Sequence, residues 1–304
     1  IDMTDESVLA KGLCERIGVD GRIEHKRADG VKVEKNLPFP THKEAFLALI
    51  DMLTTGEGKV IDSMDEINAV GHRVLHGSEK YKVSTLVTDQ VIEDIFAFRD
   101  LGPLHNPPQA TAMKACQEVF GKDTPMVAVF DTSFHQTMPE KAYMFPIPYE
   151  YYEKYSIRRY GFHGTSHRFI SGRYTELTGR KDRLIVCHLG NGSSITAVKD
   201  GKCLDTSMGL TPLDGFIMGT RCGGIDPSIV TFLMNKEGLT ADEMSDIMNK
   251  KSGFLGISGI SSDNRDITSA AEHGDHKAQL AGEMLRYEIK KFIGSYAAVM
   301  NGLD

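Results

Sequence analysis

LIVCHLGNGSSITAV, residues 184–198, sets two strand-like runs on either side of a glycine-rich turn. Leu184, Ile185 and Val186 make an apolar run of strand length, and the alternation over 194–198 makes the second run its antiparallel partner. Between the runs Gly190 and Gly192 carry no side chain, so backbone N–H groups can approach an anion closely, while Asn191, Ser193 and Ser194 add short donors. Two readings fit this turn, a hairpin with a polar tip and a phosphate-binding loop. A single glycine-rich turn does not choose between them.

On either side of it, residues 202–207 read as a third strand after the KDGK turn, and 166–178 as a helix stopped by Gly179. Asp226 and Pro227 start a further helix, Thr240 with Glu243 boxes the next, and 277–300 is a long amphipathic helix ending near Gly302. Upstream, Thr41 with Glu44 is a capping box before a helix with one apolar face, closed by Gly56. Residues 67–70 read as a short strand running into GHRVLHG, 88–99 as a helix, and Pro107 and Pro108 open a helix that stops at Gly121. Residues 126–130 read as a buried strand ending in Asp131. A hairpin followed by alternating strands and helices indicates α/β units with mixed sheets. Residues 132–160 lack a period and are rich in Pro, Tyr and Phe, so the domain boundary is placed there, giving lobes 1–131 and 132–304 with a cleft between them.

With 304 residues, 40% of them hydrophobic and 25% charged, the chain is long enough for two cores. A net charge of -7 without a basic cluster argues against nucleic acid, and no apolar run reaches the length of a membrane span. The first residues, IDMTDESVLAKG, are acidic where a signal peptide is basic, which leaves the cytoplasm as the expected location. Five scattered cysteines without a CxxC pair fit reduced thiols.

Seven of the eleven histidines fall between His72 and His188, most of them beside glycine, arginine or a carboxylate. No HxxxH pair with an acidic neighbour lies on one convincing helix, so zinc ranks below phosphate chemistry. Arg73, in GHRVLHG, follows a strand and is either an anion clamp or half of a salt bridge. Arg221, in GTRCGGIDP, lies among glycines next to a helix start, which favours anions. His163, in YGFHGTSH, is either a capping or core histidine or a donor to a transferring phosphoryl oxygen. Asp131, in FDTSFH, is either a turn carboxylate or a group that orients substrate and metal-bound water.

Taken together, GHRVLHG, PLHNPP, FDTSFH, YGFHGTSH, HLGNGSS, TRCGGIDP and SGISSDNRDI resemble the motifs of the acetate kinase family, in its order and over essentially the whole chain. The resemblance implies a two-lobed, ribonuclease-H-like α/β fold shared with sugar kinases, actin and the heat-shock chaperone ATPase. It implies Mg2+-dependent phosphoryl transfer between ATP and acetate, with Mn2+ as an alternative ion, in a cytoplasmic homodimer. By motif, Arg73 and Arg221 would hold the carboxylate and the phosphoryl group, His163 would stabilise the transition state, and Asp131 would orient substrate and magnesium. His188, Leu189, Gly190, Asn191 and Gly192 would line the phosphate loop. Asp263, Asn264 and Arg265 would contact the adenosine end, and Leu75, Leu104, Phe162 and Pro212 would form the pocket for the acyl methyl.

Some family features match nothing in the sequence. The opening strand with its own phosphate loop is expected before Ile1, and the GGIGE-type adenosine segment and a magnesium-binding glutamate after Asp304, so the chain reads as a fragment of low activity. Leu75 stands where the family commonly has valine and Ser78 where it commonly has a second glycine. Leu75 narrows the acyl pocket, favouring acetate over the propionate of a propionate kinase. An actin-like nucleotide-binding module is the alternative of another class, but it would not need Arg73, Arg221 and His163 together.

Overall fold

A computed structural model describes residues 1–103 and 105–304. Leu104, assigned above to the acyl pocket, lies outside the described residues. The chain divides into two compact units, Ile1–Val74 with Ser84–Val129, and Leu75–Val83 with Phe130–Asp304.

In the first unit, β1 (Ala10–Glu15), β2 (Arg22–Arg27) and β3 (Lys32–Asn36) form an antiparallel meander. Ile23 and His25 of β2 are buried, and Ile23 packs with Phe39, Ala45 and Met52. The last two come from α1 (His42–Thr54), which starts on the expected Thr41–Glu44 capping box. A second sheet holds β4 (Val70–Val74), β5 (Thr85–Leu86) and β6 (Met126–Phe130) in the order β4-β6-β5. Between its strands run α2 (Asp89–Ala97) and α3 (Asn106–Phe120), the latter with Pro in its first turn.

The strand expected over 67–70 is displaced. Ser63 and Glu66 form a capping box over a 3₁₀ turn, Met64–Glu66, that Ile67 closes, and the ladder begins only where the Val70 N–H bonds to the Pro125 carbonyl. Arg73 therefore sits on β4 and not after it.

In the second unit, residues 132–160 are not simply loop. They hold a 3₁₀ turn (Ser133–Thr137) and two short helices, α4 (Glu140–Tyr143) and α5 (Glu150–Tyr155). Next come α6 (Gly164–Thr178), stopped by Gly179, and the sheet of β7 (Leu184–Leu189), β8 (Ser193–Lys199) and β9 (Lys202–Thr206). Leu189 pairs with Ser193, which leaves 190–192 as the loop. Asp200 and Gly201 join β8 to β9 with φ of 53° and 74°, the positive pair that a tight hairpin turn requires. Helices α7 (Pro227–Glu237), α8 (Ala241–Lys250), α9 (Gly253–Ser258), α10 (Asn264–Glu272) and α11 (His276–Val299) complete the unit.

β8 is buried on both faces, and its period of two divides the labour. Ile195 and Ala197 pack with Phe216, Tyr296 and Met300, largely against α11. Ser194 and Thr196 alternate with them and belong to the opposite face.

Candidate active site

The second unit gathers its site from five segments. Asp131 directly follows β6, is 1% exposed, and receives the His163 backbone N–H at 3.3 Å on its carboxylate. Its carbonyl receives the Gly164 N–H, and a side chain at Gly164 would strike that carbonyl at 2.1 Å. Thus FDTSFH and YGFHGTSH are locked together at the start of α6. His163 is the N-cap of this helix in the left-handed region, φ 58°, where histidine is among the side chains that occur more readily than most.

The His163 ring is held on two sides. Its Nδ1 lies 2.8 Å from Ser194 Oγ, and its face stacks on His188 with centroids 4.1 Å apart. His188 Nδ1 in turn lies 2.9 Å from Ser166 Oγ. Ser194 Oγ also lies 2.8 Å from Nε2 of His167, one turn along α6 and fully buried. Burial, helped by the neighbouring histidines, pushes His167 down to about 2, so it is neutral at physiological pH.

Arg221 approaches the same place from the glycine-rich segment before α7. Its Nη1 donates to the Pro212 carbonyl at 3.1 Å and reaches Met218 Sδ at 3.7 Å. Among the described residues no carboxylate lies within ion-pair distance of it. Burial lowers its proton affinity, yet a guanidinium keeps its charge, which leaves a desolvated cation suited to an anion. A side chain at Gly192 would meet Arg221 Nη1 at 3.2 Å and His163 Nε2 at 3.6 Å. The missing Cβ keeps open the space that both groups border.

Three motifs meet at Gly219. A Cβ there would lie 1.9 Å from Asn191 Oδ1 and 2.9 Å from the Ser262 carbonyl, so the loop 190–192, the Arg221 segment and the SSDNRD segment close on one glycine. Asp263 caps α10 and pairs with the exposed Arg265, at 2.5 Å. Asn264 opens that helix. Gly190 and Leu189 lie on the rim of the loop, Leu189 exposed. Leu75 and Phe162 are buried in one cluster with Met208 and Met218, and Met218 links the cluster to Arg221. Arg73 stands on β4 in the first unit.

Two donors expected in the phosphate loop have other work. Ser193 Oγ donates to the Gly190 carbonyl, which braces the turn, and Ser194 Oγ faces the histidines. The His167–Ser194 contact has no signature in the sequence, because it depends on which β8 residues face α6. Among the described residues no three or more His, Cys, Asp or Glu side chains are arranged to hold a metal ion. An Mg2+ that arrives on nucleotide phosphates needs only one or two protein carboxylates, and Asp131 is a carboxylate of this site.

A half-buried cation with no carboxylate partner among the described residues, paired histidines and a side-chain-free loop in an α/β unit fit a phosphate-handling protein. Solved structures share the fold over the whole chain. The crystal structure of Porphyromonas gingivalis acetate kinase matches with a TM-score of 0.95 and 44% identity, covering 100% of this chain and 77% of that one. A propionate kinase from Francisella tularensis matches at 0.93 and 42%, with the same coverage. The fold is thus the two-lobed, ribonuclease-H-like α/β class of the actin-like ATPases. The acetate kinase of Methanosarcina thermophila is 56% identical over 308 residues, covering 100% of this chain and 75% of the relative. Residues 1–304 match the acetokinase family throughout, and the chain belongs to that family.

Proposed function

We propose that the chain transfers the γ-phosphoryl group of ATP to acetate, giving acetyl phosphate and ADP, and catalyses the reverse reaction. The observation that carries this reading is Arg221, a partly desolvated guanidinium near His163 Nε2 whose partners among the described residues are a carbonyl and a thioether. In the forward step an acetate oxygen bonds to phosphorus as the bond to the ADP oxygen breaks. The equatorial oxygens then carry the charge that Arg221 and an N–H of His163 offset. Arg73 is proposed as the clamp on the acetate carboxylate, and Asp131 as the group that orients substrate and the Mg2+ or Mn2+ carried by the nucleotide. Asn191, Gly192 and His188 would line the phosphate path, with Asp263, Asn264 and Arg265 toward adenosine. Leu75, Phe162 and Pro212 would receive the acyl methyl.

The lobes 1–131 and 132–304, a cytoplasmic location and a homodimer belong to the same proposal. α11 is offered for the dimer because Leu280, Tyr287 and Val299 are exposed on it. We also infer slow turnover by these 304 residues assayed alone, since several donors of the family's site match nothing in them. Formation of acetyl hydroxamate from acetate, ATP, Mg2+ and hydroxylamine tests the activity, because only an acyl phosphate yields it. Nucleotide binding without hydroxamate, in a chain extended at both ends, would favour a binding module. Propionate is the second substrate to assay, given the similarity to a propionate kinase.

A further inference from the structure

Ser194 Oγ lies 2.8 Å from His163 Nδ1 and 2.8 Å from His167 Nε2, and a hydroxyl has one proton to give. It therefore donates to at most one of the two rings. The far side of His167 decides which. His167 Nδ1 is buried and has no hydrogen-bond partner among the described residues. If the hydroxyl donated to His167, that ring would carry its proton on Nδ1, as an orphaned buried donor. If His167 instead donates from Nε2, the orphan is a lone pair, and buried orphan acceptors are tolerated more readily than buried orphan N–H groups.

We infer that His167, through Ser194, is a positioning residue that holds His163 as the neutral tautomer protonated on Nε2. His167 Nε2–H donates to Ser194 Oγ, and the Ser194 hydroxyl donates to His163 Nδ1. Nε2–H then lies on the side of the His163 ring where a Gly192 side chain would stand and where Arg221 Nη1 also borders the space. A neutral imidazole fixed this way is a hydrogen-bond donor without first having to capture a proton. That the donor serves a phosphoryl oxygen rests on the function proposed above; the tautomer does not.

The test is ¹⁵N NMR of the histidine-labelled 304-residue chain, with His163 assigned by its loss in His163→Asn. Two-bond couplings distinguish the tautomers, and Nε2–H is expected on both His163 and His167. In Ser194→Ala, and in His167→Leu, the His163 ring should move to averaged shifts, with the Nδ1–H form populated. His167→Gln keeps an amide donor near the place of Nε2 and should restore the wild-type pattern. Where turnover is measurable, Ser194→Ala should lower kcat about tenfold or more, with KM for ATP within about twofold. Nδ1–H on His163 of the wild type, or a His163 signal unmoved by Ser194→Ala in a folded variant, would overturn the inference. Failure to make acetyl phosphate with the expected tautomers in place would count against the functional reading and leave the positioning intact.

Discussion

His163 and His188 stack ring on ring, 4.1 Å between centroids and 26° between planes, and each is tied at Nδ1 to a serine hydroxyl. One serine comes from β8 and the other from α6, so sheet and helix together set the angle of the pair. Removing the His188 face takes away one of the supports that fix the angle of the His163 ring. His188→Ala is expected to lower kcat by about ten- to a hundredfold, the scale of a misplacement near 1 Å. Steady-state kinetics with a circular dichroism control checks it, and unchanged kcat would mean that Ser194 alone is sufficient.

Arg221 separates activity from stability. Its replacement breaks no carboxylate pair among the described residues and relieves a desolvated charge. On the role proposed for it, Arg221→Met is expected to keep its thermal midpoint while losing about 10³-fold in turnover, the scale of an arginine lost from a transferring phosphoryl group. A midpoint lowered by many degrees would show that the guanidinium is structural.

Three buried histidines of the second unit make its stability acid-sensitive. Burial pushes His76 down to about 3, His135 to about 4 and His167 to about 2, against an unfolded value near 6.5. The folded state then binds fewer protons than the unfolded one, so their contribution is whole above pH 6.5 and is lost as pH falls below it. Each group contributes a slope of roughly 1.4 kcal/mol per pH unit until its own folded value is reached. Urea midpoints between pH 7.5 and 5 should fall steeply, and a flat profile would contradict the burial of these rings.

Leu75 is 4% exposed and packs with Phe162, Met208 and Met218. Leu75→Ala is expected to cost about 2–5 kcal/mol in stability. The vacated space should raise the propionate-to-acetate ratio of kcat/KM by about tenfold or more, the value of one methylene in such a pocket. An unchanged ratio would count against the acyl-pocket role proposed for Leu75.

Legibility in the sequence followed the range of the interaction. Thr41 with Glu44, Thr240 with Glu243, and the stops at Gly121 and Gly179 depend on neighbours within a turn, and all stand where local chemistry puts them. The hairpin over 184–198 was legible for the same reason. The meander over 10–36 was not, because most of its positions are exposed and its charges pair across strands. Arg22 binds both Glu15 and Glu34, and Lys32 binds Glu24 and Glu34, where a pattern reading looks for apolar alternation. At the site, motif residues could be named from the chain. The turning of Ser194 toward two histidines needed the register of β7 on β8 and the packing of α6, which no local rule supplies.

The backbone at His163 has an experimental consequence. With φ at 58°, position 163 screens any newcomer for conformation before chemistry is tested. A β-branched replacement would strain the first turn of α6 and shift the Asp131 contact, so its inactivity would say little about the imidazole. Asparagine tolerates this region and removes the ring, which makes it the informative substitution. A scan of all side chains at 163 would rank residues by two criteria at once, and the asparagine and glycine variants provide the baseline for separating them.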